Sequence, residues 1–379
     1  MKTAFFLFMA ISSILYLIVR LLRMKPSPNL GMIDAIVPAF NEEPCIARTV
    51  VSLLRNRYIR RVICVDDGST DRTVEVLRHL QTRTPRLTVV AQKNTGKGGA
   101  IMHGLKYVTT PYVFLTDADT VLPSRGYDLG FLQAEIENGA DAVGGIPSSN
   151  LKSGGILPHI RATVKFPMII AKRTFQQILG GAPFLISGAC GLFRTEVLRE
   201  VGLSDRTKVE DLDLTWTLVA RGYKVRQSAF CIAYPQECHT LKEEWLRWRR
   251  WIRGYAVCLR LHWRLLFSRF GLFSMLPMFA VVVLGLCTMS LTWVRAISAH
   301  GPMIAATLLY PAFWVFCVLF LGSISAFHHK KARLVVMAPL AILYVLLAYA
   351  VWLTHGVRGL ITGRELSRDK PTRYAYVVA

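Results

Sequence analysis

Acidic residues are scarce in this chain. Against 46 lysines and arginines stand 24 aspartates and glutamates, a net charge of +22 over 379 residues. Charged residues of both signs make up only 18% while 53% are hydrophobic, which excludes a disordered polypeptide and is apolar for a wholly soluble one. Cysteine patterning is also missing. Cys45, Cys64, Cys190, Cys231, Cys238, Cys258, Cys287 and Cys317 form no C-x-x-C pair and no zinc spacing, so they read as reduced, mostly buried thiols. A Walker loop and a G-x-G-x-x-G fingerprint are both absent, and no internal repeat or low-complexity linker interrupts the chain.

What is present at the two ends is long apolar sequence. Ala4–Val19, Phe270–Val294, Met303–Ser325 and Leu334–Thr354 are each near the length that a bilayer core needs, and basic residues flank them. The first run has no small-residue cleavage site before Arg20, Arg23 and Lys25, so it reads as a retained anchor with the chain from about residue 20 onward in the cytoplasm. Much of the remaining basic charge lies in Arg247, Arg249, Arg250, Arg253, Arg260, Arg264 and Arg269, interleaved with Trp245, Trp248, Trp251 and Trp263. Arginine and tryptophan mixed at helical spacing suit the lipid headgroup layer better than nucleic acid, so membrane lipids are expected partners and nucleic acid is not.

The middle alternates strand and helix with short connections, from MIDAIVPAF through RRVICVDDGS and RLTVVAQ to YVFLTDAD, which predicts an α/β domain with a mostly parallel, doubly wound sheet. Three strand ends carry polar clusters: PAFNEE, VDDGSTD and TDADT. Each alone is what a turn or helix cap requires, and Asp71 fits such a cap. Together they line one crevice, because consecutive strand ends of a parallel sheet lie side by side. Their acids offer oxygen ligands to a hard divalent cation, Mg²⁺ or Mn²⁺, whose shell the oxygens of a nucleotide diphosphate would complete. Lys97, in the helix-opening GKGGA, is placed to reach a phosphate.

VPAFNEE, VDDGSTD, NTGKGGA, TDADT, SGACGLFR, VEDLDLTW and RWRRW follow one another in the chain. In this order they resemble the family 2 glycosyltransferases of the membrane-embedded, processive type, the synthases of poly-N-acetylglucosamine, chitin oligosaccharide, hyaluronan and cellulose. The resemblance covers Ile33 to Gly254 and implies a GT-A catalytic domain. It assigns Pro38, Asn41, Glu42 and Asp67 to the nucleoside of a UDP-sugar, Asp117 and Asp119 to the diphosphate and metal with Asp119 the direct ligand, and Asp211 to the general base. It also implies that Gly188 and Cys190 border the acceptor end, that Arg250 meets the diphosphate, and that Trp251 stacks on the acceptor sugar.

One position departs from the polymer-synthase pattern Gln-x-x-Arg-Trp: the glutamine is replaced by Arg247, as in glycolipid-forming relatives. The resemblance therefore implies inverting transfer from a UDP-sugar, UDP-N-acetylglucosamine first among them, to a growing polysaccharide, with a single transfer to a membrane lipid as the alternative and an accessory membrane subunit as a further partner. The expected organisation is an anchor over 1–25, a GT-A domain over 26–255, an amphipathic interfacial segment over 256–269, about three spans over 270–355 and a basic tail over 356–379. Three spans would place that tail outside an inner membrane whose cytoplasmic face holds the domain, whereas its Arg358, Arg364, Arg368, Lys370 and Arg373 favour the inside.

Overall fold

The computed structural model describes residues 25–123, 128–152, 154–204, 206–278, 303–363 and 372–374. The expected N-terminal anchor and most of the run that begins at Phe270 lie outside these residues.

Four short apolar runs build the first half of the sheet. Strands β1 (Ile33–Ala39), β2 (Ile59–Asp66), β3 (Leu87–Ala91) and β4 (Tyr112–Leu115) pair in parallel in the order β3-β2-β1-β4. Helices α1 (Ile46–Leu54), α2 (Thr73–Gln81) and α3 (Gly96–Leu105) make the crossovers. Successive residues of β1 point to opposite faces, so Ala35 and Val37 join one apolar core with Val50 and Leu53 of α1, and Ile36 joins the other with Ile101 and Leu105 of α3. Such burial on both faces is why these strands read as continuous apolar runs.

Beyond β4 the pattern changes. Strand β7 (Gly191–Arg194) runs antiparallel to β4, β6 (Ala142–Pro147) is antiparallel to β7, β8 (Val225–Pro235) is parallel to β6, and β5 (Thr120–Val121) is antiparallel to β8 at the far edge. The eight-stranded sheet is thus parallel over the half that carries the expected nucleotide site and mixed over the rest. Helices α4 (Asp128–Glu137), α5 (Ile156–Gly180), α6 (Thr195–Val201) and α7 (Glu210–Ala220) cover this second half. Trp216 of α7 is fully buried, and its indole N–H donates to the Phe184 carbonyl at 2.9 Å.

Helix α8 (Leu241–Leu261) starts with a capping box, in which Thr240 accepts from the Glu243 amide and the Glu243 carboxylate accepts from the Thr240 amide. It runs unbroken past position 255, so the interfacial segment expected from 256 begins inside this helix and continues into a 3₁₀ turn, Trp263–Phe267. Apolar helices α9 (Met303–His329), α10 (Arg333–Met337), α11 (Leu340–Val351) and α12 (Val357–Thr362) follow. Among the described residues one continuous helix, Leu340–Thr362, is long and apolar enough to cross a membrane. Its Gly356 and Gly359 face α8, where a Cβ on Gly359 would stand 3.0 Å from the Cβ of Ala256.

Gly104 sets the seat of α3 on the sheet, since a Cβ there would lie 2.9 Å from a methyl of Ile36 and 3.0 Å from one of Val65. Gly104→Val should therefore overpack this layer and cost about 1–3 kcal/mol, read as a lowered denaturation midpoint.

Candidate active site

The carboxyl ends of β1, β2 and β4 open onto one rim, as the sheet topology requires. After β1 the chain turns through Asn41, whose φ of +53° is in the left-handed region that asparagine tolerates. Its side-chain oxygen accepts from the Thr70 amide at 2.7 Å, and its own amide donates to the Ser69 hydroxyl, so the first two polar clusters are stitched together. Asp71 accepts from the amides of Thr73 and Glu43 and so ties the two loops together; the N-cap position of α2 is Arg72, one residue later than the cap expected at Asp71. Glu42 is buried, with its amide on the Thr73 hydroxyl at 2.7 Å.

Asp67 follows β2 and is buried. One of its oxygens accepts from the Thr95 amide at 2.8 Å and the other from the Gly96 amide at 2.9 Å, so it satisfies donors at the start of α3 from across the loop. That contact fixes where α3 begins and hence where Lys97 points. The Lys97 ammonium bridges Asp117 Oδ1 at 2.7 Å and Glu210 Oε1 at 2.8 Å, joining the end of β4 to the first turn of α7.

Beside Glu210, Asp211 accepts from the Gly188 amide at 3.1 Å on one oxygen and from the Leu212 amide at 2.9 Å on the other. A Cβ on Gly188 would fall 2.5 Å from the Lys97 nitrogen and 3.6 Å from Asp211 Oδ2, so this loop, the ammonium and the carboxylate lie in close contact. Burial, then the charge of Glu210, push the Asp211 carboxyl above the usual carboxylate range, while Lys97 and the Gly188 amide pull it back. An open pocket lies here, lined among others by Lys97, Thr116, Ser187, Gly188, Glu210 and Asp211. Asp213, the third acid, plays a different part: it is clamped by Arg206 at 2.8 Å and His262 at 2.7 Å and anchors α7.

Asp119 sits on the other side of the TDADT turn, which Thr49 holds by donating to the Ala118 carbonyl at 2.7 Å. Burial raises the Asp119 carboxyl to about 6, against the opposing pull of Arg373. Arg373, from the C-terminal tail, pairs with Asp119 and with Glu42. Asp119 and Glu42, both buried and sharing one guanidinium, are oxygen donors of the kind a hard cation takes. Among the described residues no three acids, histidines or cysteines already converge as a complete cage, so diphosphate oxygens or water would have to fill the shell.

The protein-family model described as "Glycosyl transferase family 2" matches residues 34–202. Over the whole chain, "Uncharacterized glycosyltransferase YaiP" of Escherichia coli (strain K12) is 57% identical across 379 residues, 100% of this chain and 95% of the relative. The chain belongs to glycosyl transferase family 2. "Poly-beta-1,6-N-acetyl-D-glucosamine synthase" of Staphylococcus aureus (strain COL) is 29% identical over 245 residues, 63% of this chain and 59% of that protein. Among solved structures, the mannosyltransferase PcManGT from Pyrobaculum calidifontis, in complex with GDP-Man and Mn²⁺, matches with a TM-score of 0.56 at 18% identity, covering 90% of this chain and 97% of that one. This likeness shows the fold, which is GT-A-like. The enzyme is a glycosyltransferase.

Of the residues singled out in the sequence, the structure brings Lys97, Asp117, Gly188 and Asp211 into one connected group. Pro38 lies in β1, half-buried. Cys190, expected to border the acceptor, is fully buried with its sulfur 3.7 Å from that of Cys231. Arg250 and Trp251 are half-buried on α8. Arg247 is spent within the fold. Its guanidinium pairs with Glu237 at 3.1 Å and with Glu244, and lies 5.4 Å from the Trp251 ring centroid, in a buried cluster that includes Arg161 and Lys165. Sequence reasoning gave no role to Glu210, Glu237 or Glu244, and it read Arg373 only as flanking charge. Glu210 had a signal, as an acid packed directly before Asp211, but the others had none.

If the raised Asp211 carboxyl is the working base, it acts only when deprotonated. Turnover should then fall on the acid side with a one-proton limb lying above the ordinary aspartate range. Because Lys97 lowers that carboxyl, Lys97→Met should move the limb to higher pH as well as slow the reaction, as read from kcat/KM against pH.

Proposed function

We propose that this glycosyltransferase is membrane-associated, with its domain on the cytoplasmic face of the inner membrane, and adds sugars from a UDP-sugar to a growing polysaccharide with inversion at the anomeric carbon. The observation that carries this reading is the Lys97 bridge, which joins Asp117 at the end of β4 to Glu210, the neighbour of Asp211, beside a pocket that Lys97, Glu210 and Asp211 line. The 29% identity with a poly-N-acetylglucosamine synthase supports a polymer product, and UDP-N-acetylglucosamine is the first donor to test.

In this reading Pro38, Asn41, Glu42 and Asp67 form the nucleoside side of the cleft, and Lys97 with Arg250 meets the diphosphate. Asp119, with Asp117, holds Mg²⁺ or Mn²⁺, which when bound supplies Lewis-acid stabilisation of charge on the departing diphosphate. Asp211 takes the proton of the acceptor hydroxyl as that oxygen bonds to the anomeric carbon. The bond from that carbon to the diphosphate oxygen breaks with its electron pair going to UDP, and the proton on Asp211 then passes to water. Gly188 keeps the approach to Asp211 open, and its amide holds the carboxylate in place. Trp251 offers its ring to the acceptor sugar.

The departure at Arg247 does not favour a lipid acceptor in this arrangement, because Glu237 and Glu244 neutralise the cation from inside the fold. The decisive experiment is to incubate membranes holding the full chain with a panel of radiolabelled UDP-sugars and to size the product. A polymer supports the reading, and a single-sugar lipid overturns it.

Two substitutions separate the acids. Asp211→Asn should leave UDP-sugar binding nearly unchanged and lower kcat by roughly 10²–10⁴-fold, the usual size of a lost general base. Asp119→Asn should abolish turnover with expression intact, and excess Mn²⁺ should restore part of it; wild-type activity undiminished by EDTA would remove the metal role.

A further inference from the structure

Arg373 pairs with Asp119, the acid proposed above to hold the metal, and with Glu42. One terminal nitrogen of its guanidinium is 2.5 Å from Asp119 Oδ2, the other donates to Glu42 Oε1 at 2.8 Å, and Nε is 2.7 Å from Glu42 Oε2. The residue arrives from 254 positions away in sequence and is mostly buried. Its neighbours hold it there by contacts of their own. Gln236 donates its side-chain amide to the Thr372 carbonyl at 3.2 Å, and the Gln236 backbone amide also donates to the Asp119 carbonyl at 3.2 Å. The Tyr374 ring stacks on His239 with centroids 3.9 Å apart and planes 7° from parallel, and its hydroxyl donates to Glu243 at 2.8 Å. Thr372–Tyr374 is thus a strap fixed to the stretch between β8 and α8, with its charged side chain inside the site.

We infer that Arg373 is a built-in competitor for the divalent-cation position of the donor site, so that the metal enters only when the strap leaves Asp119. The inference rests on the reading of Asp119 as a metal ligand. Its physical basis is charge and space. Asp119 and Glu42 bring two buried carboxylates to one guanidinium, and buried charges of one sign require a counter-cation between them. A guanidinium supplies one charge and two directed donors, and a divalent ion supplies two charges at a single point. A divalent ion brought to Asp119 Oδ2 would meet the guanidinium already there, and the two cations repel. Binding of metal with a nucleotide diphosphate would therefore exchange one cation for another, coupling donor loading to undocking of the tail.

Mn²⁺ titration of the full-length protein in detergent, followed by electron paramagnetic resonance without nucleotide, tests this directly. Where the strap is docked about 90% of the time, Arg373→Ala should tighten apparent Mn²⁺ binding about tenfold. Tyr374→Ala touches neither acid and loosens only the anchor, so it should shift binding the same way by less. In the wild type, saturating Mn²⁺ should speed tryptic cleavage after Arg373. Unchanged or weaker Mn²⁺ binding in Arg373→Ala overturns the inference while leaving the metal role of Asp119 standing. No Mn²⁺ binding by either protein, with or without UDP, overturns both.

Discussion

Carboxylates gathered at one rim of a sheet repel one another, and the site exists because cations are interposed. Lys97 stands between Asp117 and Glu210, and Arg373 between Asp119 and Glu42. Each links chain segments that share no secondary structure, so the same contacts that relieve repulsion also define the cleft. Asp67 works one step earlier, since by accepting the first amides of α3 it decides where the lysine is aimed. In a low-dielectric setting such bridges hold only while both partners are present. The acid-poor composition of the chain contrasts with this concentration of acids.

The first half of the fold was legible because burial on both faces makes each strand a solid apolar run, and the order of the runs is the order of the strands. The second half carries weaker signals. β6 contains Gly144 and Gly145, the latter pressed against Cys190, and β8 mixes Arg226, Gln227 and Ser228 among its apolar residues because Gln227 bonds back to the Gly144 carbonyl inside the core. Neither alternation nor a continuous run survives such a pattern. The site motifs were readable where a local turn and a candidate site acid coincide, as at Asp67 and Asp117. Arg373 was not, because nothing in the spacing of a basic tail says which of its charges turns inward.

Helix α8 ties the catalytic domain to the apolar helices. Glu244, buried beneath it, accepts from the Tyr344 hydroxyl at 2.7 Å, and the Trp248 indole donates to the same hydroxyl at 3.1 Å. Arg161, Lys165 and Arg247 surround Glu237 and Glu244, so the cluster joins α5, α8 and α11 around one buried ion-pair network. The glycine face of helix Leu340–Thr362 packs against the far part of α8. A fragment cut at residue 255 would split this helix and strip away what covers it.

The docked strap also carries a rule of parity. Residues 372–374 touch the cleft, so they share a side of any bilayer with the catalytic domain. If the apolar helices span a bilayer, the chain between α8 and the strap would have to cross it an even number of times, whatever the hydrophobic length available. On that condition a run that enters and leaves by the same face would reconcile three apolar stretches with the count. The basic tail, which the charge rule assigns to the inside, would then be on that side for a local reason as well: two carboxylates in the cleft hold one of its arginines.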